Sequence, residues 1–268
     1  PHRAAFWRSL LFMEEMMSHY SQFATVYDLL TSEIDYKKRA EYFDRLILQN
    51  GGFHGILLDL GCGTGTLTEE LAALGYDAIG VDNSEDMLWE ATQKKLKSGH
   101  DITYLCQEMT ELDLYGTIDA VVCALDGLNH LTDYEDFCLA IKRAALFLHP
   151  DGVFVFDLNT PYKHREILAD NAFLYDYDDV FCGWQNTLEE DGIVQMDLTL
   201  FVYDGEEYQR MEESFAERAY SLEQVKKAID GAGLVLTGFY AGDTMEAPVP
   251  DTQRWVFVTR HKEAVHGK

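Results

Sequence analysis

Residues 57–68 read LLDLGCGTGTLT, and this stretch decides the fold. Its leading apolar residues predict a short strand that is covered on both faces. The glycines at alternating positions then allow a sharp turn and a close approach of the backbone to a ligand. Thr66 or Thr68 is expected to cap the helix that follows. A strand, a glycine turn and a helix in this order predict a ligand site at the carboxyl end of a parallel strand.

The spacing and the charge of this turn narrow the class of ligand. A dinucleotide-binding turn follows the pattern G-x-G-x-x-G, and Thr66 stands where its last glycine would be. Asp59, just before the turn, would repel a pyrophosphate but suits a ligand that carries an ammonium group. Asp82 ends the next predicted strand, 77–81, where a carboxylate accepts hydrogen bonds from ribose hydroxyls. The two acids together predict a nucleoside with an amino-acid tail and no phosphate, which is S-adenosylmethionine.

Four segments, in this order, resemble the class I S-adenosylmethionine-dependent methyltransferases. Residues 57–65 are similar to the glycine motif of that family, and VDNS at 81–84 is similar to its ribose-binding acid. CQEM at 106–109 resembles the turn that contacts adenine, although the family commonly has aspartate where Glu108 stands. VVCALD at 121–126 resembles the fourth strand and its substrate-facing end.

The residue pattern and the resemblance together predict a cofactor site. Tyr27 resembles a tyrosine that closes over the cofactor in related small-molecule enzymes; packing of an N-terminal cap on the sheet is the alternative for it. Met87 packs either against adenine or in the core. The predicted cofactor contacts are Tyr20, Tyr27, Asp59, Gly61, Cys62, Gly63, Gly65, Asp82, Asn83, Met87, Glu108, Met109 and Leu125.

The segment LDGLNHL at 125–131 is expected to face the methyl acceptor. His130 resembles a histidine of some sugar and small-amine N-methyltransferases, and an imidazole titrates near neutral pH, as a general base requires. His130 and Tyr27 are the predicted catalytic residues; a histidine that only caps or solvates the loop is the alternative. Asp126, Asp157 and Asn159 loosely resemble the metal ligands of catechol-type O-methyltransferases. Because that set is not matched residue by residue, no metal is predicted.

Composition and charge disfavour several classes of partner. The chain has 268 residues, 47% of them hydrophobic, and a formal net charge of −26. Such acidity disfavours nucleic acid, whose binding needs a basic face. No apolar run is long enough to span a membrane. Five cysteines without a C-x-x-C pair favour free thiols in a reducing cytoplasm.

The order of predicted elements gives the fold class and its segments. Strands and helices alternate up to residue 158, which predicts a parallel sheet. Longer strands with Asp-Gly turns follow at 173–220 and predict an antiparallel lobe. The predicted fold class is therefore α/β, a Rossmann-like seven-stranded methyltransferase sheet with a helical N-terminal cap and an inserted antiparallel β lobe. The predicted segments are an N-terminal extension at 1–17, the helical cap at 18–52, the cofactor-binding core at 53–161, the lobe at 162–220, and a final helix and hairpin at 221–268.

Two further expectations concern the N-terminal residues and the antiparallel lobe. Residues 1–12 are interpreted as artificial or as upstream read-through, with natural translation starting at Met13, Met16 or Met17. The lobe is expected to form a roof over the acceptor or a dimer contact. Its aromatic residues are expected to line or shield the acceptor pocket, and they are Phe173, Tyr175, Tyr177, Phe181 and Trp184.

The predicted function is transfer of a methyl group from S-adenosylmethionine to a small molecule, with an amine nitrogen favoured as the acceptor. The acidic cleft and His130 favour nitrogen. A small-molecule O-methyltransferase and a non-catalytic S-adenosylmethionine-binding protein are the alternatives. The protein is expected to be a cytoplasmic monomer or homodimer with no nucleic-acid or membrane partner.

Overall fold

The computed structural model describes residues 22–263, apart from the side chains of Gln22 and Glu190. The predictions for Tyr20 and for residues 1–17 lie outside the described residues. Within 22–263, no helix is both long enough and apolar enough to cross a membrane.

Within residues 22–263, eleven strands form two separate sheets. In chain order they are β1 (Ile56–Leu60), β2 (Asp77–Asp82), β3 (Thr103–Cys106), β4 (Ile118–Cys123), β5 (Leu148–Asn159), β6 (Ala172–Asp176), β7 (Val180–Leu188), β8 (Ile193–Tyr203), β9 (Tyr208–Arg218), β10 (Leu234–Ala241) and β11 (Arg254–His261). The main sheet has the order β10-β11-β5-β4-β1-β2-β3, and the second sheet has the order β6-β7-β8-β9. Together they confirm the predicted fold class.

The main sheet is buried on both faces, which explains the unbroken apolar run at its centre. Leu57 and Leu58, adjacent in β1, belong to two different core clusters on the opposite faces of the sheet. Such strands do not alternate between apolar and polar residues. β1 pairs in parallel with β2 and β4, so the carboxyl ends of these strands meet at one edge.

In the part of the chain that the structure describes, six α-helices surround the sheets, and polar caps fix where several of them begin. They are α1 (Gln22–Leu30), α2 (Tyr36–Gln49), α3 (Thr66–Ala73), α4 (Glu85–Ser98), α5 (Tyr134–Phe147) and α6 (Leu222–Gly231). The hydroxyl of Ser84 accepts a hydrogen bond from Met87 N at the start of α4. Ser221 and Gln224 form a reciprocal capping box at the start of α6.

The second sheet packs one face onto α1. Its buried residues form a cluster with Val26 of α1, and Phe23 packs against the same cluster. Phe173, Tyr175, Tyr177 and Trp184 pack against that inner cluster. The prediction for Phe181 is wrong: it lies on the outer face and is 38% exposed. Successive strand residues face opposite sides, so Phe181 points away from the neighbouring Cys182, which is buried.

Candidate functional site

The glycine turn after β1 is tied to the end of β2. The amides of Gly61 and Cys62 both donate to Val81 O, at 2.7 and 2.9 Å. The amide of Gly63 donates to Asp82 Oδ2 at 2.8 Å. These bonds set the turn beside the carboxyl end of β2, where the sequence predicted a ligand.

Three glycines of the turn adopt backbone conformations that favour glycine. Gly61, Gly63 and Gly65 have φ of +76°, +53° and +74°. A Cβ on Gly61 would lie 2.5 Å from Met109 Cε, and one on Gly65 would lie 2.5 Å from the Tyr104 hydroxyl. A Cβ on Gly63 would meet no atom within 4 Å. The turn therefore packs tightly against Met109 and Tyr104 and stays open at Gly63, where a ligand can approach the backbone.

Asp82 is held rigidly at the end of β2. Its Oδ1 accepts from Ser84 N at 2.9 Å, while Oδ2 accepts from Gly63. Burial raises the pKa of this carboxyl, and the backbone hydrogen bonds oppose that shift. The neighbouring Asn83 donates to both carboxylate oxygens of Glu108, each at 3.2 Å. Both of these side chains are exposed.

A groove of about 400 Å³ is lined by Asn83, the neighbour of Asp82, and by residues 106–108 of the turn predicted to contact adenine. Met109 follows them on a 3-10 turn, Met109–Glu111, and its methyl group lies against Gly61. Met87 lies half-buried in the first turn of α4. The lining residues of the groove are Asn83, Cys106, Gln107, Glu108, Glu111 and Asp113.

Asp59 lies within β1 beneath the turn and is fully buried. Its Oδ2 accepts a hydrogen bond from the Thr68 hydroxyl at 2.6 Å. Burial raises the pKa of this carboxyl to about 7, and the negative charge of Asp82 adds to the shift, whereas the Thr68 bond opposes it. The predicted capping role of Thr66 or Thr68 is wrong, because Gly65 is the N-cap residue and no side chain caps α3. Thr68 instead donates a hydrogen bond to the buried carboxyl of Asp59, which a buried polar group needs.

Asp28 joins α1 to the glycine turn, and sequence reasoning missed it. Its Oδ1 accepts from the hydroxyls of Thr64 and Thr66, at 2.6 and 3.1 Å. Lys94 lies 2.5 Å from Oδ2 and also donates to Thr64 O at 2.8 Å. No local pattern marks these residues; the one available signal was that Asp28 follows Tyr27, a predicted site residue. The contacts place α1 over the cofactor side of the cleft.

Tyr27 lies next to Asp28, partly exposed, with its ring edge against Phe23 at 5.8 Å. Burial raises the pKa of its phenol, and the negative charges of Asp126 and Asp82 raise it further. Tyr27 therefore stays neutral and lies near Asp82 of β2 and Asp126 of the turn after β4. This places it between the cofactor and acceptor sides of the cleft.

The turn after β4 is held by a buried carboxylate. Leu125 and Asp126 have φ of +54° and +60°, which non-glycine residues rarely adopt. The carboxylate of Asp157, wholly buried in β5, accepts from their amides at 3.1 and 2.8 Å. Arg39 of α2 and Arg254 of β11 lie 3.0 and 2.5 Å from the same carboxylate. These ion pairs offset the cost of burying a charge and fix the turn.

Asp126 and Lys163 extend this network toward the second sheet. Asp126 lies 2.7 Å from Arg254 NH2 and accepts from Asn159 Nδ2 at 2.9 Å. Burial disfavours the charged form of Asp126, but the charges of Arg254 and Lys163 hold its pKa below the usual range. Lys163 donates to Asn159 Oδ1 at 2.9 Å, and burial lowers the pKa of its ammonium. Within 22–263, no group of three or more His, Cys, Asp or Glu residues is placed to hold a metal ion.

His130 lies at the rim of this network. It ends the 3-10 turn Gly127–His130, and its side chain is 47% exposed. Its Nε2 lies 4.0 Å from Glu217 Oε1, and its ring lies 5.3 Å from that of Phe215.

The structure brings His130 and Leu125 to one side of the cleft and the glycine turn, Asp82 and Met109 to the other. Sequence reasoning missed Arg254, Lys163 and Glu217, for which no motif gave a signal.

Comparisons with known proteins agree with this geometry. Residues 57–152 match the family model described as methyltransferase domain. The chain is 31% identical over 248 residues to the putative methyltransferase YqeM of Bacillus subtilis (strain 168), covering 92% of this chain and 98% of that protein. A solved S-adenosylmethionine-dependent methyltransferase from Clostridium acetobutylicum ATCC 824 superposes with a TM-score of 0.83 at 34% identity, covering 90% of this chain and 98% of that one. The sugar N-methyltransferase KedS8 from Streptoalloteichus sp. ATCC 53650 shares the fold, with a TM-score of 0.73 at 22% identity over 88% and 93% of the two chains.

Proposed function

Since this chain belongs to the class I S-adenosylmethionine-dependent methyltransferases, we propose that it methylates the amine nitrogen of a small molecule. When bound, S-adenosylmethionine supplies a methyl group on a positively charged sulfur, which an aligned lone pair on the acceptor can take. The family relation covers the cofactor and the reaction type. The small-molecule class and the choice of nitrogen are our proposals.

The residues of the glycine side fit this cofactor. The open backbone at Gly63 gives room for it, and we propose that the fixed carboxylate of Asp82 accepts hydrogen bonds from the ribose hydroxyls. Asp59 supplies negative charge below the turn for the ammonium group. Glu108 lines the groove proposed for adenine, and Met109 follows it with its methyl group against Gly61. Further contacts are proposed for Gly61, Cys62, Gly65, Asn83, Met87, Leu125 and Tyr27.

The position of His130, at the rim of the acidic side of the cleft, is the observation that favours nitrogen over oxygen as the methyl acceptor. An amine must present its lone pair, so it must be neutral when it attacks, and the product ammonium must lose a proton for a second methylation. His130 is half exposed, with Asp126 and Glu217 nearby, so it can take that proton and pass it to water. Tyr27 acts by position, since its phenol stays neutral.

A ligand and turnover test decides between this proposal and its alternatives. Purified protein is first titrated with S-adenosylhomocysteine by calorimetry. Release of S-adenosylhomocysteine from S-adenosylmethionine is then followed with panels of amines, amino sugars and phenols. Turnover with amines supports the proposal, turnover with phenols alone makes the protein an O-methyltransferase, and binding without any turnover favours a non-catalytic role.

A reducing compartment, the cytoplasm, is part of the same proposal. All five cysteines are free, and three of them are buried. Free buried thiols are typical of proteins that are kept reduced.

A further inference from the structure

Glu217 is a buried carboxylate that faces two histidines. It lies near the end of β9, and its side chain is 4% exposed. Its Oε2 lies 3.5 Å from His164 Nε2 and accepts a hydrogen bond from Asn159 Nδ2 at 2.9 Å. Its Oε1 lies 4.0 Å from His130 Nε2. The carboxylate thus stands between a wholly buried histidine and the half-exposed histidine of the acceptor site.

The hydrogen bonds of His164 determine where its protons lie. Its Nδ1 lies 3.1 Å from Gly192 O, and since a carbonyl oxygen only accepts, Nδ1 must donate. In a neutral ring, Nε2 would then present a bare lone pair to Glu217. Nε2 is buried and has no hydrogen-bond partner in the described residues. Two acceptors facing each other in a buried site are unfavourable, so a proton belongs between them.

The surrounding groups favour placing that proton on the ring. Asn159 donates to the same oxygen that faces His164, and a donated hydrogen bond favours the charged form of a carboxylate. The other charged groups near Glu217 are Lys163, on the same π-helical turn as His164, and Asp126, which shares the Asn159 amide. Lys163 is a cation and also favours ionised Glu217.

We propose that His164 is an imidazolium that keeps Glu217 ionised, and that Glu217 is a positioning residue that orients His130 and balances its charge. This inference rests on the proposed function only for the role of His130. When the acceptor ammonium gives its proton to the His130 ring, the ring gains one positive charge, and the Glu217 carboxylate lies 4.0 Å from its Nε2. The proton then leaves from the half-exposed ring to water, and neither Glu217 nor His164 changes its own proton count.

The state of His164 can be read without an acceptor. Protein labelled with 15N-histidine is saturated with S-adenosylhomocysteine, and ring nitrogen shifts are recorded at neutral pH, with the His164→Gln spectrum giving the assignment. We expect both nitrogens of His164 to be protonated, and Glu217→Gln to convert the ring to the neutral form protonated on Nδ1. Glu69→Gln is the matched control, because Glu69 pairs with His100 at 2.8 Å outside this site. It should change the His100 signals and leave His164 as it is.

A neutral His164 in the wild-type protein, or an unchanged ring in Glu217→Gln, would overturn the proposal. If Glu217→Gln does not fold, the wild-type spectrum alone still decides the charge of the ring. A charged His164 without any methyl transfer would leave the pair in place and refute the proposed function instead.

The role of Glu217 is tested with an amine acceptor found in the turnover screen. We expect Glu217→Gln to lower kcat about 10- to 100-fold, less than the loss of a general base itself, with cofactor Kd unchanged within about twofold. The acid limb of the kcat profile should move to lower pH by about one unit, because a nearby negative charge is removed. A purely structural Glu217 would lower the Tm and raise KM while leaving the two pH profiles parallel.

Discussion

Replacing Asp59 by asparagine should make the ligand-free protein more stable at neutral pH. This gain in stability should be smaller in acid. The side chain is 1% exposed, and its one side-chain partner, Thr68, is a neutral hydroxyl. Asparagine has the same shape, and its carbonyl oxygen can still accept from Thr68. The substitution therefore removes a buried, ionisable group and keeps the hydrogen bond.

The magnitude follows from the pKa of the carboxyl. Burial raises it from 3.8 to about 7, which is about three units or roughly 4 kcal/mol at 1.36 kcal/mol per unit. Because the folded pKa lies above the unfolded one, the unfolded state binds fewer protons between the two values, and stability falls as the pH rises through this window. Below about pH 4 the effect is absent, and above about pH 7 it is complete. The gain from Asp59→Asn should thus be about 2 kcal/mol larger at pH 8 than at pH 5.5.

Urea denaturation at these two pH values, without cofactor, measures this difference. Asp113→Asn makes the same chemical change at an exposed position and is the control for the substitution itself. A gain from Asp59→Asn that is equal at the two pH values, or a loss at both, would refute the reasoning. The same variant should bind S-adenosylhomocysteine more weakly, since the ammonium of that ligand loses its negative partner, and stability would then be gained at the expense of function.

Three further substitutions test the cleft. Asp82→Ala should weaken S-adenosylhomocysteine about 30- to 1000-fold in calorimetry, because two charge-assisted hydrogen bonds worth together about 2–4 kcal/mol are lost; an unchanged Kd in a folded variant would contradict the ribose contact. Asp28→Asn should weaken the same ligand about tenfold while costing only about 1 kcal/mol of stability, since its pair with Lys94 is partly exposed; Asp35→Asn, in an exposed pair on α2, is the control. His130→Ala should lower turnover of an amine about 100- to 10,000-fold with cofactor affinity near wild type; a loss below about tenfold, with parallel pH profiles, would leave positioning alone as its role.

The sequence by itself determined the layered fold and the location of the cofactor side. Periods of apolar residues and turn chemistry are local properties, so the buried strand β1, the glycine turn and the acid at the end of β2 could be placed from the chain alone. The parallel order of strands then brought Asp82 beside the turn without further information, because neighbouring strands end at one edge. The β7-β8 and β8-β9 hairpins of the second sheet followed from their Asp-Gly turns in the same way.

Only the tertiary structure decided which polar side chains meet. Asp28 reaches Thr64 and Lys94, and Arg254 reaches Asp157, across long stretches of chain that carry no shared pattern. The face on which Phe181 lies depended on the register of β7, where a shift of one residue exchanges the two faces.

The acceptor side of the cleft shows most clearly that contacts between polar side chains cannot be predicted from the sequence. Glu217 comes from β9, His164 from the π-helical turn after β5, and His130 from the turn after β4. Each is an ordinary residue in its own segment, and their chemistry arises only when the second sheet packs against the turns that follow β4 and β5. Long polar side chains find partners by distance in space, and distance in space is set by the packing of the whole core, which no local stretch of sequence encodes.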